Sequence, residues 1–412
     1  MNDHRPGAIR VAALLISASC GIAFLLGSGE MAVHSGMAGS LYAIVTAFGM
    51  FALALIARKL WHGGAPIWEI LGNQYGPVVR RVVALLSVVW MAGVLAAQIH
   101  GSVAVLSTAG VTTYHSVLVT AVALIAISSV ELGVAALLFT VGLLASNLIL
   151  LHALITSGGL PTYLYAWPSF IRELQTAPPA ETLATVISIG FLVITGSDYQ
   201  QFVISARRPV DAWLGCILAG IFLITAGFLP AATVVAALHS GKLAGLTDYA
   251  RAIPWIMLST GARVGPVCLG VIVLAALGSG TALTRAMSSA LMDLHPFMRR
   301  NAIAWRLLLV AICSAIAVDG RSIVSTIVSL NIVYISAIGM LFLLNQAGHR
   351  VTPRCASAMM ISGATFALFT AMLSWTHIAK IPGWILLVTG PLASACPLLA
   401  RYLAPGERGA RS

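Results

Sequence analysis

The feature that most constrains this chain is the length of its apolar runs, which follow one another from residue 10 to residue 402 with mostly short polar breaks. A helix needs about 20 predominantly apolar residues to cross a bilayer's hydrocarbon core. Backbone N–H and C=O groups in lipid must be satisfied within the spanning structure, which leaves helices or a closed barrel. Barrel strands alternate apolar and polar residues over segments of about ten; these runs are continuous. Only 8% of the residues are charged and 59% are hydrophobic, with a mean hydropathy of +0.97. A soluble domain averages about 25% charged residues. The chain therefore reads as an all-α polytopic membrane protein. We expect one transmembrane domain over 1–412, with spans at 10–36, 38–57, 80–108, 115–129, 132–157, 183–205, 211–238, 264–291, 303–318, 322–345, 356–376 and 382–402.

The net charge of +11 reads as topology. With the N-terminus in the cytoplasm, Arg5, Arg10, Arg58, Lys59, Arg80, Arg81, Arg207, Arg208, Arg299, Arg300, Arg306, Arg350, Arg354, Arg401, Arg408 and Arg411 fall inside. Arg172, Lys242, Arg251, Arg263, Arg321 and Lys380 fall outside, and Arg285 lies within a span. This asymmetry fits the positive-inside rule and predicts both termini in the cytoplasm of a plasma membrane, of the bacterial inner-membrane kind. No soluble basic face is visible that would engage nucleic acid. "MNDHRPGAIR" reads as a charged flank, since no small-residue cleavage site follows and the apolar stretch is too long for a signal peptide. The six cysteines are scattered singly without a CxxC, so neither a disulfide framework nor a metal site is expected.

Two spans carry the same oddity. The first holds Gly27-Ser28-Gly29-Glu30, and the sixth holds Thr195-Gly196-Ser197-Asp198. Each places a Gly-Ser pair and an acid inside an apolar run, at matching positions if 10–157 and 183–345 are two five-helix repeats followed by two further helices at 356–402. Glycine-interrupted spans at corresponding places in two halves point to an inverted-repeat transporter whose helices unwind near the midplane. The break is expected at Gly27, where glycine permits it. Tight helix packing is the competing explanation for such glycines. Intramembrane acids are costly and usually functional, which draws attention to Glu30. The 158–182 loop, with four prolines and several aromatics, reads as either a lid or a plain connector.

Four segments in order resemble the sodium/solute symporter family: "GSGEMAVHSGMAGSLYAI", the "PIWEILGNQYGPVVRR" loop with the span after it, "GSDYQQFVISARRPVDAWLG" and "LAALGSGTALTRAMSSALMDL". The resemblance implies a leucine-transporter-like fold of five plus five helices, with helices 1 and 6 broken. It also implies a sodium ion between the first and eighth spans. By position its ligands would be carbonyls of Phe24, Gly27 and Ala275 and a hydroxyl pair at positions 278 and 279. Ser279 supplies one hydroxyl, Gly278 lacks the other, and Thr281 or Ser28 would have to substitute. Where the family often carries Thr-Asp on the fifth helix this chain has Thr140-Val141, so a second sodium site there is not expected.

A proton is the other candidate coupling ion, carried by Glu30 with His34 one helical turn on. His100 and His152 read as relay or packing residues, and Arg285 as snorkelling to the cytoplasm or pairing with Asp198 or Asp293. Candidate solute-binding residues are Glu30, Met31, His34, Gln98, Asn147, Tyr199 and Gln200. The function expected is secondary transport of a small polar organic solute, coupled to Na+ or H+, with the lipid bilayer and the solute as partners and no other cofactor. The nearest alternative is a proton-coupled amino-acid or nucleobase permease of the same fold. A membrane enzyme would need clustered catalytic groups, a GxGxxG or a P-loop, which the loops lack. A transporter-like sensor would need a partner to carry the signal.

Overall fold

The computed structural model describes residues 5–129, 132–294, 301–318, 322–349, 351–375 and 383–403. Arg299, Arg300, Arg321, Arg350, Lys380, Arg408 and Arg411, and the side chains of Thr140, Asp293 and Arg401, lie outside that description. Among the described residues all regular structure is helical. Seven helical stretches are long and apolar enough to cross a membrane, and five shorter apolar helices accompany them. The protein is an integral, multi-pass membrane protein.

The first span is Ala8–Ser19, a π-helical stretch Ala23–Gly27, and Ser28–Ser35. The second is Leu41–Gly63, the third Pro77–Thr108, the fourth Thr113–Ser128 and the fifth Leu132–Thr156. The sixth is Pro179–Thr195 with Ser197–Ser205, and the seventh Pro209–Gly227 with Leu229–His239. Val264–Leu294, Ala302–Ala317, Ile323–Gln346, Pro353–Trp375 and Gly383–Leu403 complete the twelve. Prolines at the start of the third, sixth and seventh spans suit the first helical turn, where the backbone N–H would be unpaired anyway. Gly64, at φ 60°, closes the second span in the left-handed conformation that glycine tolerates.

The third span is the spine. It packs along the eighth, ninth and tenth spans, while the second packs along the seventh and sixth. The last two spans pack on each other and on the tenth. One end of the bundle is basic: Arg58 lies over the Trp213 ring, Lys59 Nζ donates to Gln346 Oε1, and the Arg207 N–H donates to the Pro6 carbonyl. At the opposite end, the turn Gly36–Ser40 is covered by the short helix Ala166–Thr176, which comes from the proline-rich loop. That loop is thus folded, with Trp167, Phe170 and Phe228 in mutual ring contact.

The first break differs from the expected one. Gly27 has helical dihedrals (φ −65°, ψ −40°), and the α-helix stops earlier, at Ser19–Cys20. Gly27 instead gives room to Ile323 and Val324, and Gly29 to Ile253 and Val234. For these two glycines close packing is the physical reason. The sixth span breaks where expected: Gly196 is extended (φ −63°, ψ 124°) between two helices.

Candidate functional site

At the first break the backbone leaves its helical ladder. The Ile22 N–H donates to Gln98 Oε1 at 2.9 Å, and the Phe24 N–H donates to the Gly21 carbonyl at 3.1 Å. In a continuous helix these donors would reach the carbonyls of Ala18 and Cys20. Gln98, from the third span, thus takes over a donor that the break strands. Gly21 has no room for a side chain, because a β-carbon would collide with Gln98 Nε2 and lie 2.8 Å from Ser279 Oγ.

The second break is held by side chains too. Tyr334 Oη donates to the Thr195 carbonyl at 3.1 Å, and Gln200 Nε2 donates to the Ile194 carbonyl at 3.0 Å. Tyr334 in turn meets Trp90 edge to face. The carbonyls freed around Gly196 therefore have donors, as buried backbone groups require.

The halves of the two broken spans nearer the basic end touch, and two small cavities lie where they meet the third and eighth spans. One, of about 30 Å³, is lined by Ser19, Tyr42, Trp90, Gln98, Asp198, Tyr199 and Ser279, among others. The other, of about 40 Å³, is lined by Ser17, Ala18, Cys20, Phe202, Ala275, Gly278, Ser279 and Ala282. Ala18, Phe202, Ser279 and Ala282 border both. Ser279 Oγ, Asp198 Oδ1 and the Trp90 Nε1–H, all on residues that line the first cavity, are buried without a hydrogen-bond partner. Each such atom costs free energy unless something binds it.

The expected site residues divide into separate groups. Gln98, Tyr199 and Ser279 border the first cavity, and Ala275 and Ser279 the second. Gln200 is buried beside the second break, where its amide serves the backbone. Thr281 is buried and its hydroxyl donates to the Gly278 carbonyl at 2.9 Å. Phe24 and Gly27 lie beyond the break, buried, and border neither cavity. Asn147 is buried on the fifth span, which packs along the eighth.

Glu30, Met31 and His34 lie nearer the end opposite the basic one, Glu30 nine residues past Gly21, or about 13 Å along a helix. Glu30 Oε2 accepts the Ile323 N–H at 3.0 Å, so this carboxylate satisfies a first-turn donor of the tenth span. His34 is exposed and meets the Tyr249 ring edge to face. Met31 borders a larger cavity of about 350 Å³. His100 Nδ1 bonds the Ala317 carbonyl at 2.9 Å, a packing role, and His152 is exposed. Arg285 donates to the carbonyls of Ser128 and Ile127, at the end of the fourth span.

The sequence marked Asp198 as an acid in the second break and as a partner for Arg285, but not as a binding residue, and Trp90 was not among its candidates. It missed Tyr42 and Ser19. The available signal was that Asp198 sits two residues past Gly196, inside the break.

This architecture defines a class: a polytopic membrane protein of leucine-transporter-like fold, with its first and sixth spans broken. One solved structure of that fold is a Na+-coupled sialic acid symporter in a substrate-bound, outward-open state. It superposes with a TM-score of 0.76 over 97% of this chain and 91% of that one, at 13% sequence identity. No family model matches the sequence, and no curated protein does. At that identity the likeness is one of fold.

Proposed function

We propose that this protein is a secondary active transporter that moves a small polar organic solute by alternating access, coupled to sodium. The observation that carries the reading is the meeting of two broken spans at a junction holding three unpartnered polar atoms, Asp198 Oδ1, Ser279 Oγ and Trp90 Nε1. Broken helices of this kind expose backbone dipoles at mid-membrane, where solute and ion bind.

The second cavity suits the ion. Its lining brings the Ser279 hydroxyl together with the Ser17–Cys20 stretch, where the helical ladder ends, and with Ala275. These are hard oxygen donors of the kind a hard cation takes. The carbonyl ligands are therefore reassigned from Phe24 and Gly27 to the stretch just before Gly21. The symporter of like fold is described as Na+-coupled, which supports the same choice here. A proton is the second reading, favoured by the hydroxyl missing at Gly278 and by the carboxylate of Asp198 in the adjoining cavity. The basic end is assigned to the cytoplasm.

The test is uptake into proteoliposomes under a sodium gradient or a pH gradient, each imposed alone. Solute accumulation driven by sodium at constant pH supports the reading. Accumulation driven only by the pH gradient transfers the coupling to a proton, and failure of either gradient to drive any solute in a broad metabolite panel overturns symport.

A further inference from the structure

The first cavity is chemically lopsided. Its one formal charge is the Asp198 carboxylate, and no Lys, Arg or His is among the described residues that line it. The nearby titratable groups are the phenols of Tyr42, Tyr199 and Tyr334 and the thiol of Cys20, none of them a cation. The backbone N–H groups of Asp198 and Tyr199 lie close to the carboxylate, while its Oδ1 has no partner. A buried carboxylate oxygen without a partner favours either a proton or a cation beside it, so a cation is one of the two groups that would complete the site.

The other walls say which cation completes it. Tyr42, Trp90, Tyr199 and Phe202 border the same cavity. Aromatic rings attract organic ammonium groups through their quadrupoles. A bare sodium ion prefers hard oxygens, and the neighbouring cavity, bordered by Ser279, Ala275 and the end of the first helix, has no carboxylate and one aromatic ring, Phe202. The two cavities divide the task, aromatic-and-acid on one side and backbone-and-hydroxyl on the other, with Ser279 between them.

We propose that the transported solute carries an ammonium group, with Asp198 as its counter-ion and Tyr42, Trp90 and Tyr199 as the walls around it. This rests on the transporter reading above and names its substrate class. Gln98 is then a positioning residue: its carbonyl oxygen is occupied by Ile22, so it fixes the break against which the ammonium site is built.

The test compares three probes of nearly equal size, n-propylammonium, propionate and n-propanol, by thermal stabilisation of the full-length protein at constant ionic strength. A ligand that binds only the folded state raises the apparent melting temperature by mass action. The ammonium is expected to stabilise saturably, and the anion and the alcohol are not. Asp198→Asn is expected to weaken the ammonium response roughly 10- to 100-fold, the loss that goes with a hydrogen bond to a charged group. Asp198→Glu, which keeps the charge, is expected to retain part of it. No response to propylammonium, an equal response to propionate, or an undiminished response in Asp198→Asn overturns the assignment; the wild-type comparison decides even if a variant fails to fold.

A separate arm reads the transporter mechanism alone. Cys20 lies at the first break and is buried. With the other five cysteines replaced by alanine, it should react with a membrane-impermeant thiol reagent from either face of a proteoliposome. Two-sided reactivity without an ammonium response leaves the transporter and removes this substrate class; reactivity from one face only overturns alternating access itself.

Discussion

Gly21 shows how one missing side chain shapes the site. A β-carbon there would push on Gln98 and Ser279 together, the residues that cap the break and border both cavities. Gly21→Ala is therefore expected to leave expression intact and lower uptake at least about tenfold, an upset of order 1–2 kcal/mol. Uptake at wild-type rate would show that the break tolerates a wider angle.

Glu30 is a different case. Its contact with the Ile323 N–H satisfies a first-turn donor of the tenth span, beside the Ser322 cap that takes the Ser325 N–H. Glu30→Gln keeps an acceptor but loses the charge at a helix N-terminus, worth about 0.3–1 kcal/mol. A small fall in melting temperature with unchanged ion dependence is expected. Loss of ion coupling with stability intact would restore Glu30 as a coupling residue.

At the scale of elements, a carboxylate fastens the end opposite the basic one. Glu173, on the short helix Ala166–Thr176, accepts the Met37 N–H. That contact sits where the first span ends at Gly36, whose φ of 55° and ψ of −133° suit glycine. A β-carbon at Gly36 would meet the Glu173 carboxylate directly. The covering helix and the turn below it therefore move as a unit while this bond lasts. Glu173→Ala is expected to speed amide hydrogen exchange at residues 36–40 by about tenfold or more, a local loss of 1–3 kcal/mol for the stranded N–H. Unchanged exchange would mean that the aromatic contacts of Trp167 and Phe170 with Phe228 hold the helix unaided.

At the scale of the whole molecule, coupling requires the solute and ion cavities to open and close together. Ala18 and Phe202 border both, one on each broken span, so separating the touching halves of those spans alters both at once. Gly278→Ser tests the ion side, since Gly278 borders the second cavity and a hydroxyl there supplies the missing ligand. The sodium concentration giving half-maximal uptake is expected to fall about tenfold, as one added charge-assisted contact would produce. An unchanged sodium response would remove the ion from that cavity.

The sequence by itself determined the membrane, the helices and their order. Those follow from local rules: a spanning helix needs a long apolar run, and a proline or glycine marks many of its ends. It also located the second break, because Gly196 stands beside Ser197 and Asp198, whereas the other glycine of that span, Gly190, has only apolar neighbours. In the first span it chose Gly27, although Gly21, Gly27 and Gly29 look alike along the chain. Tertiary structure decided otherwise: Gly27 and Gly29 face aliphatic side chains of the tenth span and of Ala252–Leu258, while Gly21 faces Gln98 and Ser279. The same holds for the acids. Glu30 and Asp198 are both carboxylates in apolar surroundings, and one-dimensional order does not say which has a partner. Folding brings a backbone N–H from residue 323 to Glu30 and leaves one oxygen of Asp198 bare beside three aromatic rings. Helices form from neighbours in sequence, but a binding site is made by residues far apart in the chain, and only packing decides which of them meet.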